Sequence, residues 1–223
     1  DGNTDIYKVR AAGTDLTRLT DDPETDWYPV WSPNGESLLF YSERAEDDND
    51  RGELYVMGVE GEQEEPPTRL TANTAHESYA TWSPDGQRIL FIREQDGKRD
   101  VYLMNADGSD AELVADVDYD RHPTFAPDGQ RFVFDSSVDG GQLFLGILGS
   151  EEPEQIETGL ARSFAPSWSP VSGDERIVFE GRYDGDWEIY TMCDDGTDQL
   201  RLMDNGSNEV QPRVSPDGRW VAF

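Results

Sequence analysis

The chain alternates polar with apolar residues over short stretches, with the period of two that is typical of β-strands. Residues 5–9 (DIYKV) show this alternation first, and residues 53–57 (ELYVM) and 100–104 (DVYLM) repeat it. Other runs, such as residues 37–41 (SLLFY) and 89–92 (ILFI), are apolar enough to predict strands that are buried on both faces. The pattern therefore predicts an all-β protein.

One turn motif separates these strands and returns five times. Its versions are WSPNG (31–35), WSPDG (82–86), FAPDG (125–129), WSPVSG (168–173) and VSPDG (214–218). The prolines of successive versions are 43 to 51 residues apart, which is the spacing of a repeat architecture. Proline presets φ, and Asn-Gly or Asp-Gly can adopt positive φ, so each version predicts a hairpin.

Each repeat predicts four antiparallel strands, but the last repeat stops after two strands, within residues 211–223. The first two strands of the chain, within residues 5–20, supply what the last repeat lacks. Complementary half-blades close a β-propeller, whereas an open solenoid needs atypical capping repeats at both ends. We predict a five-bladed β-propeller of four-stranded antiparallel blades. Residues 1–223 form a single domain, and the N-terminal strands complete the C-terminal blade.

The aromatic residue before each turn predicts a core wedge between neighbouring blades, because such side chains bury large areas. A second aromatic position recurs on the third strand, and we predict that it is also buried. The first set is Trp31, Trp82, Phe125 and Trp168, and the second is Tyr7, Tyr55, Tyr102, Phe144 and Tyr190.

The motifs together resemble the WD40-like (PD40) repeat of TolB-type propellers over essentially the whole chain. The resemblance rests on WSPDG, an apolar I-x-F strand, D-I-Y and R-L-T at one phase. It implies a propeller that binds a partner, as periplasmic TolB binds a lipoprotein, and a periplasmic or extracellular location. Related repeats occur in the propeller domains of prolyl-oligopeptidase-type peptidases and in some polysaccharide lyases. TolB itself has six blades and an added N-terminal domain, so this chain departs from it.

The charge of the chain narrows the class of partner. The chain has 48 acidic and 18 basic residues and a formal net charge of −30, which repels nucleic acid and anionic membranes. It attracts cations or basic protein surfaces, although solubility alone is an equal explanation of such a charge. We expect a monomer. We also expect no membrane insertion, because no run of 18 apolar residues occurs.

Sequence motifs for catalysis are missing. The chain lacks a G-x-S-x-G elbow and a P-loop, and its two histidines, His76 and His122, do not complete a Ser/His/Asp set. We therefore predict a binding protein that is not an enzyme. Two alternatives stay open: a polysaccharide-active lyase or hydrolase that uses the channel mouth, and a scaffold domain of a larger protein.

Five residues before the wedge position of each repeat, where one blade leads into the next, four of the five residues are acidic. We predict that these acids line the channel mouth and bind a divalent cation, with Ca²⁺ as the cofactor, because converging carboxylates repel unless a cation neutralises them. The predicted ligands are Asp26, Glu77, Asp120 and Glu209, and the fifth position is Ser163.

Two of these loops have alternating acids, 22–26 (DPETD) and 116–120 (DVDYD), although aspartate is also common in turns. A further acidic loop, residues 47–52, resembles half of a calcium loop but lacks the distal glutamate, so we predict a solvated loop.

The same mouth predicts a ligand site with aromatic side chains. Acidic groups with exposed rings suit a basic protein or peptide, or a glycan bridged by a cation. The predicted ligand-binding residues are Trp27, Tyr28, Tyr79, His122, Phe164 and Gln211.

Overall fold

The computed structural model describes residues 3–44, 52–59, 66–150, 152–174, 176–183 and 185–223. Within these ranges twenty β-strands form six antiparallel sheets, which we name A to F, and the helical structure is one 3-10 turn at Val138–Gly140. None of the described helical structure is long and apolar enough to cross a membrane. The all-β prediction is confirmed, whereas the acidic loop 47–50 lies outside the described residues.

Four sheets have four strands each, and each of these follows chain order from one edge to the other. Sheet B contains β3 (Asp26–Trp31), β4 (Ser37–Ser42), β5 (Glu53–Gly58) and β6 (Thr68–Arg69). Sheet C contains β7 (His76–Trp82), β8 (Arg88–Gln95), β9 (Lys98–Asn105) and β10 (Glu112–Ala115). Sheet D contains β11 (Asp120–Phe125), β12 (Arg131–Ser136), β13 (Gln142–Ile147) and β14 (Glu154–Ile156). Sheet E contains β15 (Arg162–Trp168), β16 (Arg176–Arg182), β17 (Trp187–Cys193) and β18 (Leu200–Arg201).

Two shorter sheets lie at the two ends of the chain. Sheet A contains β1 (Tyr7–Lys8) and β2 (Thr17–Arg18), and sheet F contains β19 (Arg213–Val214) and β20 (Val221–Ala222). No hydrogen-bonded strand pair joins sheet A to sheet F in the part of the chain that the structure describes. The predicted pairing of the N-terminal strands with the C-terminal strands is therefore not confirmed, and neither is the count of five blades.

The Ser-Pro-Asp-Gly turns form the hairpins between the first two strands of a sheet, as predicted. In sheet C, Ser83 Oγ donates to Asp85 Oδ1 at 2.6 Å, and the same carboxylate oxygen accepts the Gln87 N–H at 3.0 Å. Gly86 has φ of 69°, which glycine adopts without steric strain. The turn is thus determined by local hydrogen bonds.

The core lies between the sheets, where apolar side chains of one sheet pack on those of the next. Trp168 of sheet E is 4% exposed and belongs to a cluster with Val133 and Leu143 of sheet D. Phe125 is also buried, in a cluster that includes Leu90 of sheet C. These two side chains occupy the predicted wedge positions.

Trp31 is a correction to the wedge prediction, because it is 51% exposed. The wedge of one sheet packs on the strands of the preceding sheet, and for Trp31 the predicted partners are strands of the C-terminal half-blade. Trp220 and Phe223 of that half-blade are 70% and 57% exposed. The third-strand prediction likewise fails at Tyr7, which is 53% exposed, whereas Tyr55, Phe144 and Tyr190 are buried.

Replacing Trp168 with alanine should lower the free energy of unfolding by about 3–5 kcal/mol, because it removes a buried ring between two sheets. The same change at Trp31 should cost no more than about 1–2 kcal/mol, since half of that ring is already in water. Urea unfolding of the two variants measures the difference. Equal losses would contradict the wedge role of Trp168.

Candidate functional site

The innermost strands share a backbone distortion at one position. Two residues after each predicted acidic position, a residue other than glycine has left-handed φ, between 47° and 56°. In the four-stranded sheets this residue coincides with a break in register between the first and second strands, which marks a β-bulge. The five equivalent residues are Tyr28, Tyr79, His122, Ala165 and Gln211.

These bulges open onto a cavity of about 440 Å³ that is shared by five sheets. On β3, β7 and β11 its walls come from the bulge residue and the two residues after it, and sheets E and F contribute residues that follow the bulge. The lining residues are Tyr28, Pro29, Val30, Tyr79, Ala80, Thr81, His122, Pro123, Thr124, Pro166, Ser167 and Arg213. We call this cavity the channel mouth. Val30, Thr81 and Thr124 also line a second cavity of about 230 Å³ towards the Ser-Pro-Asp-Gly turns, so the two cavities adjoin along the same strands.

Three rings form a row along the channel mouth. The ring centroids of Tyr28 and Tyr79 are 6.1 Å apart, and those of Tyr79 and His122 are 4.6 Å apart. Each ring comes from a different sheet, so the row crosses two sheet junctions. Such a row offers successive aromatic surfaces to one extended ligand.

His122 is held by a buried carboxylate. Its Nδ1 lies 2.7 Å from Asp135 Oδ1, and that oxygen also accepts the Ala165 N–H at 3.0 Å. Asp135 is fully buried. With Nδ1 engaged, Nε2 is the ring nitrogen that remains for a ligand.

A second carboxylate repeats this arrangement at the next junction. Glu180 Oε2 accepts the Gln211 N–H at 2.7 Å. Burial raises the pKa of the Glu180 carboxyl, and the Asp135 charge adds to the rise, whereas the Gln211 N–H and the nearby His122 and Arg213 oppose it. Carboxylates of one sheet thus accept hydrogen bonds from the backbone N–H groups at the bulges of the next sheet.

The sequence located part of this site. Tyr28, Tyr79 and His122 line the channel mouth as predicted. Trp27 lies against Tyr28, with ring centroids 5.8 Å apart, and Phe164 packs on Trp187 at 5.7 Å. Gln211 contributes its backbone N–H to Glu180. Whether these six residues bind a ligand stays a prediction.

Several functional groups were not predicted. Arg213 lines the mouth, and Asp135 and Glu180 lie behind its wall. The sequence signal that could have located these two acids is an acid directly after three apolar residues of the second strand, in residues 132–135 (FVFD) and 177–180 (IVFE). The predicted acidic character of the mouth is not confirmed, because none of the described residues that line this cavity is acidic.

The predicted ring of acids is buried at or near the beginning of the innermost strands, within the junctions between sheets. Arg44 Nη2 lies 2.6 Å from Asp26 Oδ2, and Arg93 Nε lies 2.9 Å from Glu77 Oε1. The four acids do not gather around one point in the part of the chain that the structure describes, where the triad with metal-ligand spacing is Asp100, Asp116 and Asp118. Cation binding by Asp26, Glu77, Asp120 and Glu209 stays a prediction.

Comparison with known proteins identifies the family. A family model described as the TolB beta propeller domain matches residues 1–147, which is more than half of the chain. The chain belongs to this family. The TolB homolog of Chlorobium chlorochromatii is 25% identical over 145 residues, which cover 62% of this chain and 31% of that protein. The chain spans about a third or less of the length of the curated relatives it matches.

Solved structures agree with the propeller fold. TolB from Acinetobacter baumannii has a TM-score of 0.77 at 17% identity, over 95% of this chain and 51% of that chain. An oligogalacturonate lyase from Vibrio parahaemolyticus has a TM-score of 0.68 at 13% identity, over 99% of this chain and 68% of that chain. At these identities the likeness concerns the fold alone. Sheets B to E of this chain are thus four-stranded blades of a TolB-type propeller.

The raised pKa of Glu180 predicts a pH dependence of stability. A carboxyl whose pKa is higher in the folded protein favours the fold below its unfolded-state pKa, near 4.3, and this contribution is lost as the pH rises through the folded-state pKa. The propeller with Glu180→Gln should therefore gain stability relative to wild type as the pH rises from about 4 to about 7. Urea unfolding at a series of pH values measures this difference. A difference that does not change with pH would contradict the prediction.

Proposed function

We propose that this propeller is a binding module whose channel mouth holds an extended peptide segment of a partner protein. The observation that carries the proposal is the row of Tyr28, Tyr79 and His122 along the cavity. Each ring is placed by a strained bulge on a β-strand of a packed sheet, so the row is preorganised. Binding then needs little free energy to order these side chains.

The lining suits a peptide better than a strongly charged ligand. Pro29, Pro123 and Pro166 add apolar surface between the rings. Arg213 supplies donors for peptide carbonyl groups, and His122 Nε2 accepts a peptide N–H when Nδ1–H donates to Asp135. A volume of about 440 Å³ is in the range of pockets that hold small ligands. A short segment fits such a cavity, whereas a folded domain does not.

The charge of the whole protein complements this site. The net charge of −30 attracts a partner with basic residues around the bound segment and raises its rate of association, most strongly at low ionic strength. A periplasmic or extracellular location and a monomeric state, which the sequence suggested, stay predictions.

Selection from a random peptide library on the immobilised protein tests the proposal. Enriched peptides should bind wild type and lose about tenfold or more in affinity with Tyr79→Ala, because central aromatic residues contribute most of the energy at such sites. Tyr183→Ala is the matched control, since Tyr183 is exposed and lies outside the channel mouth. Peptides that bind wild type and Tyr79→Ala equally well would overturn the proposal.

A second candidate is a polysaccharide-active lyase or hydrolase. The observation that favours it is the short contact between His122 Nδ1 and Asp135 Oδ1, since a carboxylate that orients a histidine leaves its other nitrogen available as a general base. In this alternative, wild type acts on an acidic glycan and His122→Ala loses that activity by at least about a hundredfold.

Incubation with a panel of acidic glycans, followed by an assay for new reducing ends and for unsaturated products, tests this candidate. Tyr183→Ala should keep full activity. A panel without any turnover would exclude the enzyme reading for the glycans tested and leave the binding module.

A further inference from the structure

Acids at the third strand of a sheet are neutralised by arginine at three places in the chain. Each acid precedes the third-strand tyrosine by two residues, and the arginine faces that tyrosine across the ladder on the fourth strand. The pairs are Asp5 with Arg18, Glu53 with Arg69, and Glu188 with Arg201. The arrangement supplies one countercharge for each partly or fully buried acid.

Sheet C has the acid without the arginine. Asp100 occupies the equivalent position on β9, but the residue that faces Tyr102 from β10 is Leu113. Asp100 Oδ1 is buried, and it lacks a hydrogen-bond partner among the described residues. The fourth-strand arginine is therefore missing at this junction, and Arg93, which faces Asp100 from β8, is paired with Glu77 at 2.9 Å.

The innermost strand of sheet D, β11, also has an acid without an arginine partner among the described residues. Asp26 and Glu77 have Arg44 and Arg93 as ion-pair partners. Asp120 has no ion-pair partner among the described residues, and Ser136 faces it as Ser42 faces Asp26. The Ser136 hydroxyl donates to the Asp118 carbonyl oxygen at 2.6 Å.

Asp120 itself is fully buried, and neither of its carboxylate oxygens has a hydrogen-bond partner among the described residues. An ionised carboxylate in such surroundings requires a countercharge.

Two further acids complete the cluster. The carboxylates of Asp100, Asp116 and Asp118 each place an oxygen within 4.8 Å of the others. Lys98 Nζ lies 3.6 Å from Asp116 Oδ1 and 3.3 Å from Asp118 Oδ1, but more than half of the lysine side chain is exposed. One half-exposed lysine thus contacts two of the three clustered carboxylates.

We propose that this junction between sheets C and D binds a hard divalent cation, Ca²⁺ in the first place. Asp100, Asp116 and Asp118 are the ligands, and Asp120, two residues after Asp118, is fully buried. The cation supplies the positive charge that arginine supplies at the equivalent positions. A donor set made only of oxygen atoms suits Ca²⁺ or Mg²⁺ and does not suit the softer transition metals.

This site differs from the predicted ring and does not depend on the channel mouth. It includes only one of the four predicted ring acids, Asp120. It also includes Asp116 and Asp118 of the alternating loop, together with Asp100, which the sequence did not indicate.

Thermal unfolding of chelator-treated protein, repeated with CaCl₂ and with MgCl₂, tests the proposal. Ca²⁺ at a hundred times its Kd should raise Tm by about 5–10 °C in a chain of this size. Asp118→Asn should lose most of this rise. The matched control is Glu24→Gln, which occupies the same offset before β3 at a junction where Arg44 is present, and it should keep the full rise.

A compensating variant gives a second readout. Leu113→Arg restores the arginine of the other sheets at a half-exposed position. It should raise Tm in the presence of chelator and reduce the response to Ca²⁺, because the countercharge is then already present.

The proposal is overturned if 10 mM Ca²⁺ and Mg²⁺ leave Tm unchanged, which would mean that Lys98 suffices as countercharge. It is also overturned if the rise is the same in wild type and Asp118→Asn, since the cation would then act elsewhere on an acidic surface. Calorimetric titration distinguishes a single saturable site from such diffuse binding.

Discussion

Neutralising buried carboxylates is the constraint on which the sheet junctions depend. The chain has 48 acidic and 18 basic residues, and at least three acids, Asp26, Glu77 and Asp120, lie fully buried where one sheet leads into the next. A buried charge without a partner costs several kcal/mol. Arginines offset this cost at several junctions: Arg93 on a second strand, Arg69 on a fourth strand, and Arg44 just after the end of β4. The packing of neighbouring sheets therefore depends on how the buried charges at their junctions are neutralised.

The channel mouth depends on the same use of carboxylates. A residue other than glycine in the left-handed region costs of order 1–3 kcal/mol, and five such residues surround the mouth. Two of them have their N–H groups fixed by a carboxylate of the preceding sheet, Asp135 at Ala165 and Glu180 at Gln211. Asp135 also holds the His122 ring, because its Oδ1 lies 2.7 Å from His122 Nδ1, so one carboxylate fixes both a bulge N–H and a ring of the mouth. The geometry of the site thus follows from contacts between sheets as much as from the strands that carry the rings.

Local features of this structure could be predicted from the sequence, whereas features that need register or neighbours could not. The Ser-Pro-Asp-Gly turn is local, since Ser83, Asp85 and Gly86 determine it among themselves. The offset from the wedge aromatic located Tyr28, Tyr79 and His122, because the repeat has a constant phase. Asp135 was missed because its partner, Ala165, lies 30 residues away on another sheet. Trp31 was placed wrongly because its burial depends on which strands cover it.

Equivalent positions within one chain provide a comparison that a single-copy fold does not offer. Because the junctions have equivalent positions, a junction that lacks a charged residue present at the others can be recognised. The departures concentrate on β11, where Asp120 lacks the arginine partner that Asp26 and Glu77 have and His122 is the basic member of the aromatic row. His122, at the bulge, lies two residues after this buried acid. A countercharge at Asp120 therefore stabilises the beginning of the strand from which His122 reaches the channel mouth, which links the charge balance of one junction to the geometry of the site.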